Sequence, residues 1–519
     1  MICIQKLITW IKIRFDSIEK DPQSAIEVCD TSEGVSEEAQ EKTNLMEENN
    51  SNEASGWRTI DSVIARAKEL IGRTLAEEYP EIEISVSKSK GHLGELIEEH
   101  HFGLEINNES RPDFENLGVE LKTSPLRKTT KGKLSAKERI SLGMIDYFQI
   151  VEERFHTSGF WKKNEQLLIM FYIHTAKPVI HRRFHLADLW HFSKSDLIII
   201  EQDWNYIKTK VAYGLAHELS EGDTMYLGAA TKGASKNSLR EQPNATEKAM
   251  SRAYSLKTSY VNRIIQAWLN PVENECLLIP EEDALLLEER GFDDLILNRF
   301  RPFYGWDILD IAEALRFENF NPLAKSSLAQ LARAIMGVPG RATIPEFEAA
   351  GIAMKTIRLK PNGTPQESMS FPAFQFTELV REKSWEDSLL FQRLEESRFL
   401  FVVFEIQGAE KEASVTLKHA KFWNMPQLDI REARKSWVLT RDIVANGNIV
   451  QYVKDNGDRK TNFPGAAEFP VVHVRPHATT TDDTHPLPTP DRITGSQDYT
   501  KQSFWLGNKY LGKVISLTC

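Results

Sequence analysis

Arg111-Pro112-Asp113-Phe114-Glu115-Asn116-Leu117-Gly118-Val119-Glu120-Leu121-Lys122-Thr123 sets an acid, and then an acid-x-lysine triplet, around a short apolar run. Val119 and Leu121 alternate with Glu120 and Lys122, the period of a strand with one face in a core. The pattern brings Glu120 and Lys122 out side by side on the other face, with Asp113 delivered by the turn before it. Converging carboxylates can hold a divalent cation through oxygen ligands. A lysine beside them can position a water or stabilise charge on a phosphate, and the set suits metal-assisted phosphodiester hydrolysis. Spacing alone is a weak signal, because Glu-x-Lys on a strand is more often a solvated face. The neighbouring segments decide.

Upstream, Lys90-Gly91-His92-Leu93-Gly94-Glu95-Leu96-Ile97-Glu98 reads as a glycine-started amphipathic helix, with Leu93, Leu96 and Ile97 on one face. It offers Glu98 as a third carboxylate. Together the two segments resemble the MutH and Sau-type GATC restriction endonuclease family, a branch of the PD-(D/E)xK nucleases. The family pattern runs Lys-Gly-x-x-Gly-x-x-x-Glu, then Asp-Phe-x-x-x-Gly-Val-Glu-Leu-Lys, and each fixed position is met. Gln202-Asp203-Trp204, Ala216 to Gly222, Thr231 to Ala234, Ser238-Leu239-Arg240, Gln242-Pro243 and Thr500 to Trp505 resemble the two-domain Sau-type enzymes specifically.

The resemblance implies an α/β fold of tandem PD-(D/E)xK, MutH-like domains, each a mixed central sheet flanked by helices. It implies Asp113 and Glu120 as metal ligands, the Leu121 carbonyl as a further donor, and Glu98 as a third acid that binds metal or positions water. Lys122 would orient the attacking water and stabilise developing charge, with Mg²⁺ as the ion. Lys90 is flagged as well, and a further active-site lysine of the MutH type falls at Lys162 or Lys163. The implied activity is a type II restriction endonuclease cutting both strands of DNA at 5′-GATC-3′; the alternative is a MutH-like mismatch-repair enzyme that nicks one strand. The implied partners are double-stranded DNA and a cognate DNA methyltransferase, with a monomer that dimerises or loops DNA on binding two sites.

At 519 residues the chain is too long for one ordinary core. Cys3, Cys29, Cys276 and Cys519 have no paired spacing for zinc or a disulfide framework, which suits a reducing cytoplasm. No apolar run reaches membrane-spanning length. The formal charge of −11 argues against DNA binding until it is divided. Residues 1–56 hold five Lys/Arg and twelve Asp/Glu, whereas residues 57–270 hold 30 and 28. The acidity therefore lies mostly outside the first folded unit.

Three segments are expected: a leader at 1–56, a catalytic MutH-like domain at 57–270, and a degenerate, inactive MutH-like domain at 271–519, to which the resemblance gives a DNA-binding, allosteric role. Met1 to Phe15 alternates apolar and basic residues, and 31–56 has the composition of a disordered linker, with Met46 a candidate start. A helix is expected from Trp57, strands at Gln166 to Ile173 and Leu197 to Glu201, and a helical connector at Glu281 to Asn298. Pro345 to Leu359 matches Pro112 to Leu126 at seven of fifteen positions. Leu328 to Arg333 stands in the place of Leu93 to Glu98, and Lys501 to Phe504 echoes Lys257 to Tyr260. Under this alignment Glu98 becomes Arg333, Glu120 becomes Ala353 and Asp113 becomes Glu346, while Lys355 keeps the place of Lys122. The second copy keeps the fold and loses the chemistry.

Two basic stretches are candidates for DNA contact. Lys122 to Arg139 carries seven Lys/Arg against Glu138 alone. Thr231 to Arg263 includes Lys232, Lys236, Arg240 and Lys257, and its Thr231 to Arg240 loop is the candidate for base reading. His100 and His101 are adjacent and do not converge on one ion, so an ordinary surface or core role is expected. His473 to His477 occupies the recognition loop's place in the second copy and is a further candidate for DNA contact.

Overall fold

The computed structural model describes residues 57–80, 82, 92–106, 111–129, 132–233, 238–270, 277–338, 340, 342–408, 414–453, 459–480 and 482–516. The leader expectation for 1–56 lies outside them. Residues 55–519 form one compact unit.

Gly118 takes the left-handed conformation (φ 65°, ψ 29°) and turns the short helical segment Glu115–Leu117 into strand Val119–Lys128. That strand runs parallel to Gln166–Ile173, with Glu120 opposite Leu167 and Lys122 opposite Ile169. Leu134–Ala136 and Phe184–Trp190 add antiparallel edges, completing a mixed four-stranded sheet. A second sheet pairs Arg252–Leu256 with Ile140–Met144 and Leu227–Thr231. The expected helix after Trp57 is Ile60–Glu69, started by the Thr59 hydroxyl accepting from the Ser62 N–H. The connector is Ala284–Phe300, broken at Gly291 (φ 75°).

The strand expected at Leu197 to Glu201 is instead part of the 19-residue helix Lys194–Ala212. A short apolar run cannot separate buried strand from buried helix. Here the Ser193 N-cap and the burial of Ile199, Ile200, Trp204, Ile207 and Val211 at helical spacing settle it.

The second half repeats these elements in order. Gly351 (φ 68°, ψ 29°) turns helix Pro345–Ala350 into strand Ile352–Leu359, which runs parallel to Arg398–Gln407. Ser414–Asn424 adds the antiparallel edge, and the 19-residue helix Gln427–Ala445 follows. Gln502–Leu506 pairs with Val472–Pro476 and Met369–Ser370, and helix Asn508–Ser516 follows as Thr258–Leu269 follows Arg252–Leu256. This corrects the terminal echo. Lys257 to Tyr260 begins a helix, whereas Lys501 to Phe504 enters the strand before the equivalent helix. The true counterpart of Tyr260 is Tyr510. Tyr260 donates its hydroxyl to Asp196 at 2.9 Å, and Tyr510 donates to Asp429 at 2.7 Å.

Alternating side chains of the central strands feed different cores. Leu168 and Met170 pack with Val119, Leu121, Leu96 and Phe114, while Leu167, Ile169 and Phe171 face the opposite way. That opposite core is shared, because it continues through Ile296, Leu331 and Phe347 to Leu400, Val402 and Phe404 of the second copy. Phe399, Phe401 and Val403 complete a third core inside the second copy.

Candidate active site

Asp113 and Glu120 are locked together by the backbone. Asp113 Oδ2 accepts from the Leu121 N–H at 2.8 Å, and the Asp113 N–H donates to Glu120 Oε2 at 3.2 Å. Phe114 N–H to Val119 O, at 2.9 Å, closes the loop between them. The site therefore follows from the tight turn at Gly118.

Glu120 is only 2 % exposed, so the acid face of the strand is enclosed and not solvated. Lys122 donates to Glu120 Oε1. Lys163 Nζ stands 3.5 Å from the same oxygen and donates to the Arg111 carbonyl at 3.0 Å. Of the two candidate lysines, Lys163 is thus the one at the site, and Lys162 is exposed. Helix Gly159–Asn164, capped by Ser158, carries it there.

Glu98 lies in a π-helical turn, Ile97–His101, that continues helix His92–Leu96. Such turns are rare and frequent at functional sites. Burial pushes the Glu98 carboxyl up to about 7, and the charges of Asp113 and Glu120 add to it against the pull of Lys122. Burial also raises Glu120, opposed by Lys122. Asp113, Glu120 and Glu98 offer hard oxygen donors, and the two glutamates resist ionisation without a positive partner, which suits a divalent cation. Among the described residues no three His, Cys, Asp or Glu side chains form a ready-made metal cage. In this conformation the two lysine ammonium groups are the positive partners of Glu120.

The remaining candidates divide. Lys90 and Lys236 lie outside the described residues. Arg240 is exposed on strand Leu239–Gln242, which forms a hairpin with Ala245–Met250, and Lys232 is half-buried at its root. Lys257 is not available to DNA. It is 2 % exposed, donates to the Thr224 carbonyl and faces Asp203, and burial lowers it to about 8. Asp203, of the Gln202-Asp203-Trp204 motif, accepts the N–H groups of Met225, Tyr226 and Leu227. Arg139, from the basic run, pairs with buried Glu221. His101 is a core residue bonded to Tyr79 and to the Arg66 carbonyl, and His473 is buried, while Arg475 and His477 are exposed beside Trp505.

In the second copy, Ala353 occupies the place of Glu120 and Arg333 donates to the carbonyls of Gly340 and Ala342. Glu346 is buried and accepts the Ile279 N–H at 3.0 Å. These positions have become structural. Sequence reasoning missed Glu395, a buried acid of the second copy that reaches the first; no local pattern marks it.

A profile described as DNA mismatch repair enzyme MutH matches twice, over residues 102–203 and 338–435. The type II restriction enzyme Sau3AI of Staphylococcus aureus is 33% identical over 495 residues, covering 88% of this chain and 99% of its own. The DNA mismatch repair protein MutH of Shewanella woodyi is 29% identical over 216 residues, covering 40% of this chain and 91% of its own. That of Vibrio vulnificus is 24% identical over 225 residues, covering 42% and 97%. With a MutH match in each half of this chain, and 33% identity to a relative aligned almost end to end, the chain belongs to the family of the type II restriction enzyme Sau3AI.

Proposed function

We propose that this protein is a Mg²⁺-dependent type II restriction endonuclease that hydrolyses both strands of DNA at 5′-GATC-3′. The first copy is its catalytic unit and the second a DNA-binding effector. The observation that carries this reading is the contrast between the copies. Asp113, Glu120, Lys122 and Lys163 converge in the first, whereas in the second Ala353 stands at the place of Glu120 and Arg333 at the place of Glu98.

Asp113, Glu120 and Glu98 would hold the cation, which lowers the pKa of a bound water and offsets charge on the phosphate. Lys122 orients the attacking water at the Glu120 edge and stabilises negative charge on the phosphoryl oxygens. Lys163 supplies a second positive charge beside it. Glu98 holds a proton near neutrality in the metal-free protein and releases it to serve as a ligand. Lys232 and Arg240 are the described candidates for contacting DNA.

The test is incubation of the purified protein with a plasmid bearing GATC sites, followed by mapping of the ends. Double-strand ends at GATC that require Mg²⁺ are expected. Nicked circles alone would favour the MutH-like strand-nicking reading, and intact plasmid would overturn both.

A further inference from the structure

The strand register identifies an unexpected counterpart. Gln166 opens its strand opposite Val119, and Arg398 opens the equivalent strand opposite Ile352. Lys163 lies three residues before Gln166, and Glu395 lies three before Arg398. Both end short helices, Gly159–Asn164 and Leu389–Glu396, started by Ser158 and Ser388. Where the first copy has its site lysine, the second has a buried glutamate.

Glu395 points into the first copy. Its Oε1 lies 3.4 Å from Arg252 Nη1 and 3.4 Å from Thr231 Oγ1, and its carbonyl accepts from Ser220 Oγ at 3.2 Å. Arg252 in turn donates to the Ala229 carbonyl at 2.5 Å. Thr231 and Arg252 face each other across the strand pair at the root of the basic arm. From that root Lys232 N–H reaches Ser251 O at 2.7 Å, Ser251 N–H reaches Ser238 O at 2.7 Å, and the hairpin bearing Arg240 emerges. Arg252 is 3 % exposed and Glu395 is 1 % exposed, so their attraction is little screened by solvent.

We propose that Glu395 is a positioning residue for DNA recognition by the first copy. It fixes the root of the 231–251 arm through Arg252 and Thr231, so the second copy sets the selectivity of the first. This rests on the reading of that arm as the base-recognition element.

The test uses the full chain and duplexes carrying GATC or a single-base variant of it. Glu395→Gln keeps the shape and loses the charge; Glu395→Asp keeps the charge on a shorter arm. For Glu395→Gln, a KM increase on the order of 10-fold and a similar loss of discrimination are expected, with kcat nearly unchanged. Glu395→Asp should recover part of the discrimination. Arg240→Ala separates the two readings. If Arg240→Ala loses discrimination while Glu395→Gln, folded by circular dichroism, keeps it, the Glu395 role is overturned. If Arg240→Ala also leaves discrimination intact, the arm itself is not the recognition element.

Discussion

Glu120 sits at the centre of the site because it touches most of its members. It takes the Asp113 N–H and Lys122, and has Lys163 within 3.5 Å. Glu120→Ala and Lys122→Ala should abolish cleavage while DNA binding survives, as read by plasmid digestion and gel shift; full cleavage by either would refute the site. Glu98 makes the site sensitive to pH. Folding raises its carboxyl from an ordinary 4.5 to about 7, so the native chain holds more protons than the unfolded one across that window. The metal-free protein should therefore lose stability as pH rises through it. A cation must displace that proton, so apparent Mg²⁺ affinity should rise by roughly tenfold per pH unit up to about 7 and level off above. Glu98→Gln should flatten the profile in calorimetric titrations; an unchanged slope would remove Glu98 from the site.

At the scale of elements, one short helix decides which lysine matters. Helix Gly159–Asn164 turns Lys163 toward Glu120 and leaves Lys162 exposed. Lys163→Ala should slow cleavage by ~10²-fold, the cost of losing one charge-stabilising donor. Lys162→Ala should cut normally, and reversed outcomes in single-turnover assays would reassign the lysine. The strand at Val119 was legible from its alternation and the repeat at Pro345 from its matching residues, whereas the left-handed turn at Gly118 that joins Asp113 to Glu120 emerged only in the fold. Leu197 to Glu201 was misread because an unbroken apolar run carries no period. Lys257 was misread because only tertiary packing sets it against Asp203 and the Thr224 carbonyl. Glu395 was invisible because its partners, Thr231 and Arg252, are more than a hundred residues away in the chain.

For the whole molecule, the shared core changes what the duplication means. Phe347, Leu400 and Phe404 of the second copy pack into the same cluster as Leu167 and Phe171 of the first, so cutting the chain near residue 270 would expose apolar surface on both sides. Glu346, aligned with Asp113, is buried beside that junction and accepts the Ile279 N–H. Glu346→Ala should cost about 1–3 kcal/mol in urea unfolding, through the orphaned Ile279 N–H, and leave the chemical step alone. Lys355→Ala, at an exposed position, should change neither. Two copies locked through a common core can also bias one another when each engages DNA. A plasmid with two GATC sites should then be cut faster than one with a single site. A coupling of typically ~1–3 kcal/mol corresponds to roughly 5–150-fold in affinity, within reach of a plasmid assay. An uncleavable GATC duplex added in trans should rescue the one-site plasmid. Equal rates on both plasmids, with no response to the added duplex, would leave the second copy as a scaffold for the first and no more.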